Sequence, residues 1–476
     1  MKRMLTGIAR KYIPAMMMLF TAMGVYAQDI TGAWYGVLEV QDVRLRLVFH
    51  IIKSGNGYSG TMDSPDQGAK GLEVSSVSFT DNNLTVDMIK YGIHYTGRLG
   101  DSGIIAGTFK QGGASFPMNL SREEIKEPEV PKIVRPQDPS KPYPYYTEDV
   151  TFSNKSAGIK LAGTLTMPAK EGSYPAVILI TGSGPQNRDA EIFNHRPFLV
   201  LSDYLTRQGF AVLRYDDRGV AASGGVFGEA TSADFAADVN AALEYLQSRK
   251  EIKEKEIGLI GHSEGGGIAQ MVAAGNKNVA FVVMLAGPGL PGDEILLRQK
   301  ALIEKADGVP DELTKKGLET NKALFDAVKT IDDDAALKAK LTEILAKAVS
   351  ETDVPGGLDV DKTAIVKSEV ESLVAPWMRA FIRYDPAPNL RKISCPVLAL
   401  NGDKDMQVPA KDDLEAIRKY ITGNGNRNVT VKEMKGMNHL FQECSTGSPS
   451  EYGYIEQTFS PVALKEISGW LQRQVK

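Results

Sequence analysis

The hydrophobic pattern of the chain changes character part of the way along its length. From residue 30 to about residue 120, short β-rich runs are separated by Gly, Asn and Asp, which favours a small antiparallel barrel or sandwich. From about residue 149 onward, uninterrupted apolar runs alternate with helical segments. Runs that are apolar at every position predict a parallel sheet covered by helices on both faces. The predicted strands of this sheet are Ala176–Thr181, Phe210–Tyr215, Ile257–Gly261, Val279–Leu285, Val397–Asn401 and Val429–Met434.

The stretches around these runs complete the predicted architecture. Two β-rich segments after residue 148 resemble an antiparallel pair at a sheet edge, and the proline-rich stretch before them predicts an extended linker. The segment from about residue 290 to residue 384 indicates several helices and no strand, so we place it as a cap inserted into the sheet. The predicted divisions are a signal peptide at 1–27, a β domain at 28–121, a linker at 122–147, an α/β core at 148–289 and 386–476, and a helical cap at 290–385.

The first residues have the pattern of an export signal. A basic opening precedes an apolar stretch at about 13–25, which ends in small residues at the −3 and −1 positions before Gln28. The stretch is short for a membrane span, so we interpret it as a cleaved signal peptide, with an uncleaved anchor as the alternative. We expect an exported protein, periplasmic or extracellular, with no stable membrane anchor after cleavage.

Composition narrows the function classes. The 476 residues have the apolar and charged content of an ordinary globular protein, and the formal charge is −4 with no long basic run, which argues against a nucleic-acid partner. The two cysteines and five scattered histidines form no zinc-ligand pattern, and the glycine-rich loop after the first parallel strand does not match the dinucleotide-binding fingerprint. We therefore expect neither a metal nor a cofactor. No pattern indicates an oligomeric state.

The strongest chemical motif is G-x-S-x-G at Gly261–Gly265. It follows a predicted strand and precedes a predicted helix, which is the context that a nucleophile elbow requires. The tight turn needs small residues two positions either side of the serine, and it leaves the serine hydroxyl exposed above the sheet. Ser263 is therefore the predicted nucleophile. The alternative, a glycine-rich turn without catalytic meaning, fits this context poorly.

A serine nucleophile needs a base and an acid that orients the base. When the serine lies on a nucleophile elbow, the triad residues follow each other along the chain in the order Ser, acid, His. His439 is the one histidine after Ser263. The segment after the strand at 397–401 offers Asp403 and Asp405 as acids. We favour Asp405, because Asp403 directly follows a glycine and is better placed to hold the turn. His262 is expected to point away from the site.

The developing oxyanion needs two backbone donors. One is expected to be the N–H of Glu264, directly after the nucleophile. The other should come from the loop after the first parallel strand, where the N–H of Ser183 is our preferred donor. Asp217 and Arg218, after the next strand, are expected to brace the elbow.

An aromatic group on the last cap helix has helical spacing and consists of Trp377, Met378 and Phe381. Packing alone would explain such a stripe, and the alternative is a wall of the substrate pocket.

The motifs together resemble one superfamily. From about residue 149 to residue 475 the chain is similar to α/β-hydrolases, in the group of secreted bacterial esterases related to dienelactone hydrolases and serine aminopeptidase-like hydrolases. The resemblance implies an α/β-hydrolase fold that cleaves carboxylic esters through an acyl-enzyme, with small-molecule or polymer-linked esters as substrates. One departure is Thr181, where many relatives carry histidine. The motifs that carry the resemblance are GSGPQNRD, YDDRG, GHSEGG, PWMRAFIRYDP, CPVLALNGDKDMQV and GMNHLFQ.

Two other functions stay open on the sequence. One is a secreted serine peptidase that removes short N-terminal units, for which Glu264 or the acid-rich cap would have to bind the substrate ammonium. The other is a glycan- or lipid-binding protein whose hydrolase half is vestigial. The residues at 30–120 resemble small β-barrel domains only loosely.

Overall fold

The computed structural model describes residues 29–40, 43–55, 57–67, 69–111, 114–125, 135–350 and 362–475. The predicted signal peptide and residues 126–134 of the predicted linker lie outside the described residues. The chain folds into two compact units that divide near residue 128. Within the described ranges, no helix is both long enough and apolar enough to cross a membrane.

The N-terminal unit is a closed antiparallel barrel, as the short β-rich runs predict. Strand β1 pairs with β2 on one side and with β10 on the other, and β10 also pairs with β8, which closes a ring of eight strands. An eight-stranded barrel encloses just enough space for its own side chains, and here Trp34, Phe49, Tyr95 and Phe109 are buried. The strands are β1 (Gly32–Val40), β2 (Val43–Ser54), β3 (Gly57–Ser64), β4 (Ala69–Glu73), β5 (Ser76–Thr80), β6 (Asn83–Met88), β7 (Ile93–Leu99), β8 (Ile105–Gln111), β9 (Ala114–Pro117) and β10 (Leu120–Ser121).

The second unit is built on an eight-stranded sheet with the order β11-β12-β14-β13-β15-β16-β17-β18. β11 and β12 form the antiparallel edge that the sequence predicts, and the strands from β14 to β18 are parallel. This is the sheet of an α/β-hydrolase. The strands are β11 (Tyr146–Asn154), β12 (Ile159–Met167), β13 (Tyr174–Ile180), β14 (Ala211–Tyr215), β15 (Ile252–His262), β16 (Val282–Leu285), β17 (Val397–Gly402) and β18 (Val429–Met434).

Both faces of this sheet are covered by helices, which explains its continuous apolar runs. Along β13, Ile178 packs into the core on one face, whereas Val177 and Leu179 pack into the core on the other. A strand with both faces buried has no position for a polar side chain to meet water. The flanking helices are α1 (Pro197–Arg207), α2 (Ser232–Gln247) and α3 (Glu264–Gly275), and later in the chain α10 (Ala410–Gly423) and α11 (Pro461–Gln472).

The segment between β16 and β17 is helical. Helices α5 to α8 share a core of their own, which includes Phe325, Val328, Leu341 and Ile382. These apolar positions recur at helical spacing and therefore make one buried stripe per helix. The inserted helices are α4 (Gly292–Ala306), α5 (Asp311–Thr330), α6 (Asp334–Ser350), α7 (Lys362–Val374), α8 (Pro376–Arg383) and the short α9 (Ala387–Leu390).

A buried carboxyl holds the turn at which the inserted helices begin. Asp413, on α10, is fully buried, and its Oδ1 accepts hydrogen bonds from the N–H of Gly289 at 2.6 Å and of Leu290 at 3.0 Å. Its Oδ2 has no hydrogen-bond partner among the described residues. Burial raises the pKa of Asp413 from 3.8 to about 7, against the lowering effect of the two N–H donors.

This pKa predicts a pH-dependent contribution to stability. The folded pKa is raised, so Asp413 destabilises the folded state progressively as the pH rises from about 4 to about 7. Asp413→Asn imitates the neutral carboxyl. The quantity to compare is the free energy of unfolding of Asp413→Asn minus that of wild type. We expect this difference to be about 2 kcal/mol larger at pH 8 than at pH 5. Chemical denaturation at both pH values measures this difference. Asp412→Asn, at a side chain that is 43% exposed, is the control, and an equal response from both variants would contradict the prediction.

Candidate active site

Ser263 lies on a strained turn between the end of β15 and the start of α3. Its φ and ψ are 54° and −123°, in a region that residues other than glycine rarely occupy. Two backbone hydrogen bonds stabilise this strained conformation. The Ser263 N–H donates to Leu285 O at 2.8 Å, and Ser263 O accepts from the Gly266 N–H at 2.9 Å. The first bond attaches the turn to the neighbouring strand β16. These two bonds fix the backbone from which the Ser263 side chain extends.

The glycines of the elbow are required by close backbone approach. A Cβ at Gly261 would lie 2.0 Å from Gly265 O, and a Cβ at Gly265 would lie 2.3 Å from Ile180 O and 2.5 Å from Thr181 O. Both clashes are with backbone atoms, which cannot rotate aside. Helix α3 therefore starts directly against the end of β13, and this proximity brings the loop after β13 to the nucleophile.

Gly265→Ala is expected to destabilise the protein by about 3 kcal/mol, because the backbone must shift to accept the methyl group. Gly275→Ala, at the other end of the same helix, is the matched control, since a Cβ there meets nothing within 4 Å. Helix propensity should make that variant as stable as wild type or slightly more stable. Urea denaturation compares the two, and equal stabilities would refute the steric argument.

His439 and Asp405 form a buried pair. His439 Nδ1 lies 2.7 Å from Asp405 Oδ2, and the two side chains are 4% and 0% exposed. The other carboxylate oxygen accepts hydrogen bonds from the N–H of Gln407 at 2.8 Å and of Val408 at 2.9 Å. A carboxylate at Nδ1 keeps the proton on that nitrogen, so Nε2 is free to accept a proton from a nucleophile.

The other candidate acid has a different role. Asp403 Oδ1 accepts a hydrogen bond from the N–H of Gly436 at 2.6 Å, and its own N–H donates to Met434 O at 3.0 Å. It thus holds the turn after β18, whereas Asp405 is the residue that meets His439.

Ser263 and His439 both line one cavity of about 100 Å³. Most of the wall is apolar, and it comes from the segment before α1, from α1 itself, from the end of β16 and from the loops near the C-terminus. Such a small apolar space beside a nucleophile suits a short hydrocarbon group. The remaining lining residues are Gly182, Ser183, Gln186, Ala190, Ile192, Pro197, Phe198, His262, Leu285, Gln407, Leu440 and Phe459.

The loop after β13 lies directly against the nucleophile. A Cβ at Gly182 would come within 3.2 Å of Ser263 Cβ, and Ser183 lines the cavity. Glu264 is the first residue of α3, so its N–H is one of the helix N-terminal donors without an intrahelical acceptor. Glu264 thus directly follows Ser263 at the start of α3, and Ser183 lines the same cavity as Ser263, whereas their role as oxyanion donors stays a prediction.

Asp217 holds this loop in place. Its Oδ1 accepts from the Thr181 hydroxyl at 2.5 Å, and its Oδ2 accepts from the Gln186 N–H at 2.9 Å. Asp217 was expected to brace the elbow, but it braces the loop after β13 instead. Arg218 binds Asp238 on α2 rather than the elbow. Thr181 stands where many relatives carry histidine, and its hydroxyl makes one of the two bonds that connect this loop to Asp217.

His262 is the residue whose orientation the sequence did not predict. Its Nε2–H donates to His439 O at 2.8 Å, and the two imidazole rings are 4.8 Å apart. Burial, and then the neighbouring His439, lowers the pKa of His262 to about 3, so it is neutral. The expectation that it points away from the site was wrong. Strand alternation could have revealed this, because Ile260, two residues before His262, faces the same core as Met437, two residues before His439.

The aromatic group on α8 lies outside the lining of this cavity. Trp377 Nε1–H donates to Glu264 Oε1 at 2.8 Å, and the Ser232 hydroxyl donates to the same oxygen at 2.5 Å. Phe381 stacks on Trp377 with 5.3 Å between ring centroids, and Met378 packs against the core of the inserted helices. The group therefore connects the inserted helices to the residue after the nucleophile.

The chain is similar to several known hydrolases. The family model described as serine aminopeptidase, S33 (Hydrolase_4) matches residues 197–340. Esterase EstD of Thermotoga maritima is 24% identical over 333 residues, which are 69% of this chain and 69% of the relative. Among solved structures, the α/β hydrolase GrgF of Penicillium sp. sh18 matches with 20% identity and a TM-score of 0.42 (69% of this chain, 99% of that one). The Pyrococcus furiosus esterase Pf2001 matches with 18% identity and a TM-score of 0.43 (69% and 90%).

The parallel sheet and the strand–Ser263–helix turn define the class of protein as an α/β-hydrolase. The serine aminopeptidase model matches residues 197–340, and EstD is 24% identical over 69% of the chain, so the chain is similar to hydrolases of this superfamily.

Proposed function

We propose that the protein hydrolyses carboxylic esters of small to medium acyl groups through an acyl-enzyme on Ser263, with His439 as base and Asp405 as its orienting acid. The observation that carries the proposal is the buried Asp405–His439 pair, whose histidine lines the same cavity as Ser263. The name of the relative EstD, an esterase, gives independent support.

The proposed reaction uses each group at a stated atom. His439 Nε2 takes the proton of the Ser263 hydroxyl as the oxygen attacks the ester carbonyl. The N–H groups of Ser183 and Glu264 then stabilise the oxyanion. His439 returns its proton to the leaving alcohol. In the second half, His439 takes a proton from water as the water oxygen attacks the acyl carbonyl. It returns this proton to Ser263 Oγ as the bond from carbon to Oγ breaks and the acid leaves.

The cavity supports short acyl groups over long ones. Its volume is about 100 Å³, and its walls include Ile192, Phe198, Leu440 and Phe459. An acyl chain of a few carbons would bury its surface there, whereas a longer chain would leave methylenes outside the apolar walls, with little further gain in binding.

Glu264 does not support the peptidase alternative. A peptidase that removes N-terminal units needs a carboxylate to bind the substrate ammonium. The carboxyl of Glu264 is buried, accepts hydrogen bonds from Ser232 and Trp377, and has a pKa that burial raises. The Glu264 carboxyl therefore already accepts two hydrogen bonds, and its burial disfavours the charged form that would bind an ammonium.

We further propose that the inserted helices act as a cap and that the protein is exported. The Trp377–Glu264 hydrogen bond supports the first statement, because it attaches α8 to the elbow. The basic and apolar opening of the sequence supports the second. N-terminal sequencing of the protein from the periplasmic or culture fraction tests export, and a chain that still begins at Met1 would contradict it.

The test of the main proposal is hydrolysis of p-nitrophenyl esters from acetate to laurate, with aminoacyl anilides as the competing substrate class. We expect the highest kcat/KM with the short esters and little turnover of anilides. A preference for anilides would replace the esterase with a peptidase. No turnover of either class, together with no labelling by a fluorophosphonate, would favour the vestigial binding protein.

A further inference from the structure

The end of the predicted linker is part of the second unit. Arg135 is 4% exposed, and its guanidinium donates to three backbone carbonyls: Phe193 O at 2.9 Å, Gly453 O at 2.9 Å and Ile455 O at 2.6 Å. These carbonyls belong to two loops that are far apart in the sequence. One planar group with several fixed donors is well suited to hold such loops at a set separation.

Gln137 adds a second attachment to one of these loops. Its Oε1 accepts from the N–H of Thr458 at 2.6 Å and of Phe459 at 3.0 Å, and its Nε2 donates to Phe459 O at 2.7 Å. The side-chain amide thus pairs with both backbone groups of Phe459, as a neighbouring β-strand would. The position of Phe459 therefore depends on residue 137.

Both loops contribute to the cavity wall. The first loop contributes Ala190 and Ile192, and the second contributes Phe459. The first loop is also strained, since Ala190, Phe193 and Asn194 have φ values of 52°, 49° and 60°. Residues other than glycine stay in this region only when surrounding contacts hold them, and the bond from Arg135 to Phe193 O is one such contact.

The second loop is connected to the catalytic histidine. Phe459 stacks on Phe441, with 5.6 Å between ring centroids and 5° between ring planes, and the Ser460 N–H donates to Phe441 O at 2.8 Å. Phe441 lies two residues after His439. A displacement of Phe459 would therefore change the cavity wall first and the histidine loop second.

We propose that Arg135 and Gln137 are positioning residues that set the width of the acyl pocket, by fixing the Ile192 loop and Phe459 relative to each other. Arg135 and Gln137, at the end of the predicted linker, would thus determine substrate specificity without contacting the substrate. This inference rests on the proposed esterase function and adds to it the residues that select acyl length. Neither residue lines the cavity, so each acts through the loops it holds.

The experiment uses the full chain with Arg135→Ala, Arg135→Lys and Gln137→Ala, and p-nitrophenyl acetate, butyrate and octanoate as substrates. In wild type the short esters should be preferred. In Arg135→Ala the ratio of kcat/KM for octanoate to that for acetate should rise about tenfold, because loosened walls lose the fit to the short chain and admit the long one. Gln137→Ala should change the ratio in the same direction. Arg135→Lys should be intermediate, because an ammonium cannot donate to three carbonyls in one plane.

Arg249→Ala is the matched control for a purely structural role. Arg249 also makes several bonds, to Tyr245 at 2.8 Å, Glu148 at 2.6 Å and Glu251 at 3.1 Å, and it lies outside the cavity lining. The Arg249→Ala variant should have a lower Tm, as Arg135→Ala does. Its ratio of kcat/KM for octanoate to that for acetate should stay at the wild-type value. An unchanged ratio in Arg135→Ala, or an equal change in Arg249→Ala, would overturn the inference.

A second readout separates this inference from the proposed function. Inactivation by alkyl fluorophosphonates of two and eight carbons requires a reactive Ser263 but no ester turnover. If wild type is inactivated without hydrolysing esters, the esterase proposal fails. The ratio of the two inactivation rates still tests whether Arg135 and Gln137 set the width of the pocket. A ratio that is the same in wild type and Arg135→Ala would then reject it.

Discussion

Ser263→Ala is expected to lower kcat for p-nitrophenyl acetate by about 10⁶-fold, the scale seen when other serine hydrolases lose their nucleophile. The acyl-enzyme cannot form without the hydroxyl, and any residual rate would come from the oxyanion donors acting on water. The backbone of residue 263 keeps its bonds to Leu285 and Gly266, so the fold should be preserved. Steady-state kinetics and fluorophosphonate labelling measure the two consequences.

Ser183→Ala is the control, because it removes a second serine hydroxyl from the same cavity. The proposed role of Ser183 uses its backbone N–H, which the substitution keeps, so kcat should stay within about threefold of wild type. A large loss in Ser183→Ala together with a small loss in Ser263→Ala would mean that the wrong serine has been assigned as nucleophile.

Asp405→Asn is expected to lower kcat by about 10⁴-fold while leaving KM nearly unchanged. The amide keeps an oxygen for the N–H groups of Gln407 and Val408, so its NH₂ would face His439 Nδ1. The imidazole would then carry its proton on Nε2, where it can no longer accept one from Ser263.

Asp403→Asn separates this effect from a general loss of charge near the histidine. Asp403 accepts from the Gly436 N–H, a bond that an amide oxygen can replace, so we expect less than about a threefold change in kcat. Equal losses in the two variants would contradict the assignment of Asp405, and a full loss only in Asp403→Asn would reverse it.

Much of the α/β core was accessible from local sequence. Continuous apolar runs predicted the parallel strands, because a strand buried on both faces has no polar position. The elbow was equally accessible, since glycine two positions either side of Ser263 has a local steric cause. Strand β15 was longer than its apolar run, because it begins at Ile252, which pairs with Tyr174, and the charged residues before Ile257 lie where the register with β13 shifts.

What the sequence determined by itself was therefore whatever rests on local pattern: the strands, the elbow and the order of the chemical residues. Only the tertiary structure decided the partners of Arg135, His262 and Trp377, since each bonds to groups more than a hundred residues away. The partners of Arg135 and His262 are backbone carbonyls, and every residue carries one. Side-chain identity therefore gives no sign of such contacts, and the folded chain alone brings the two atoms together.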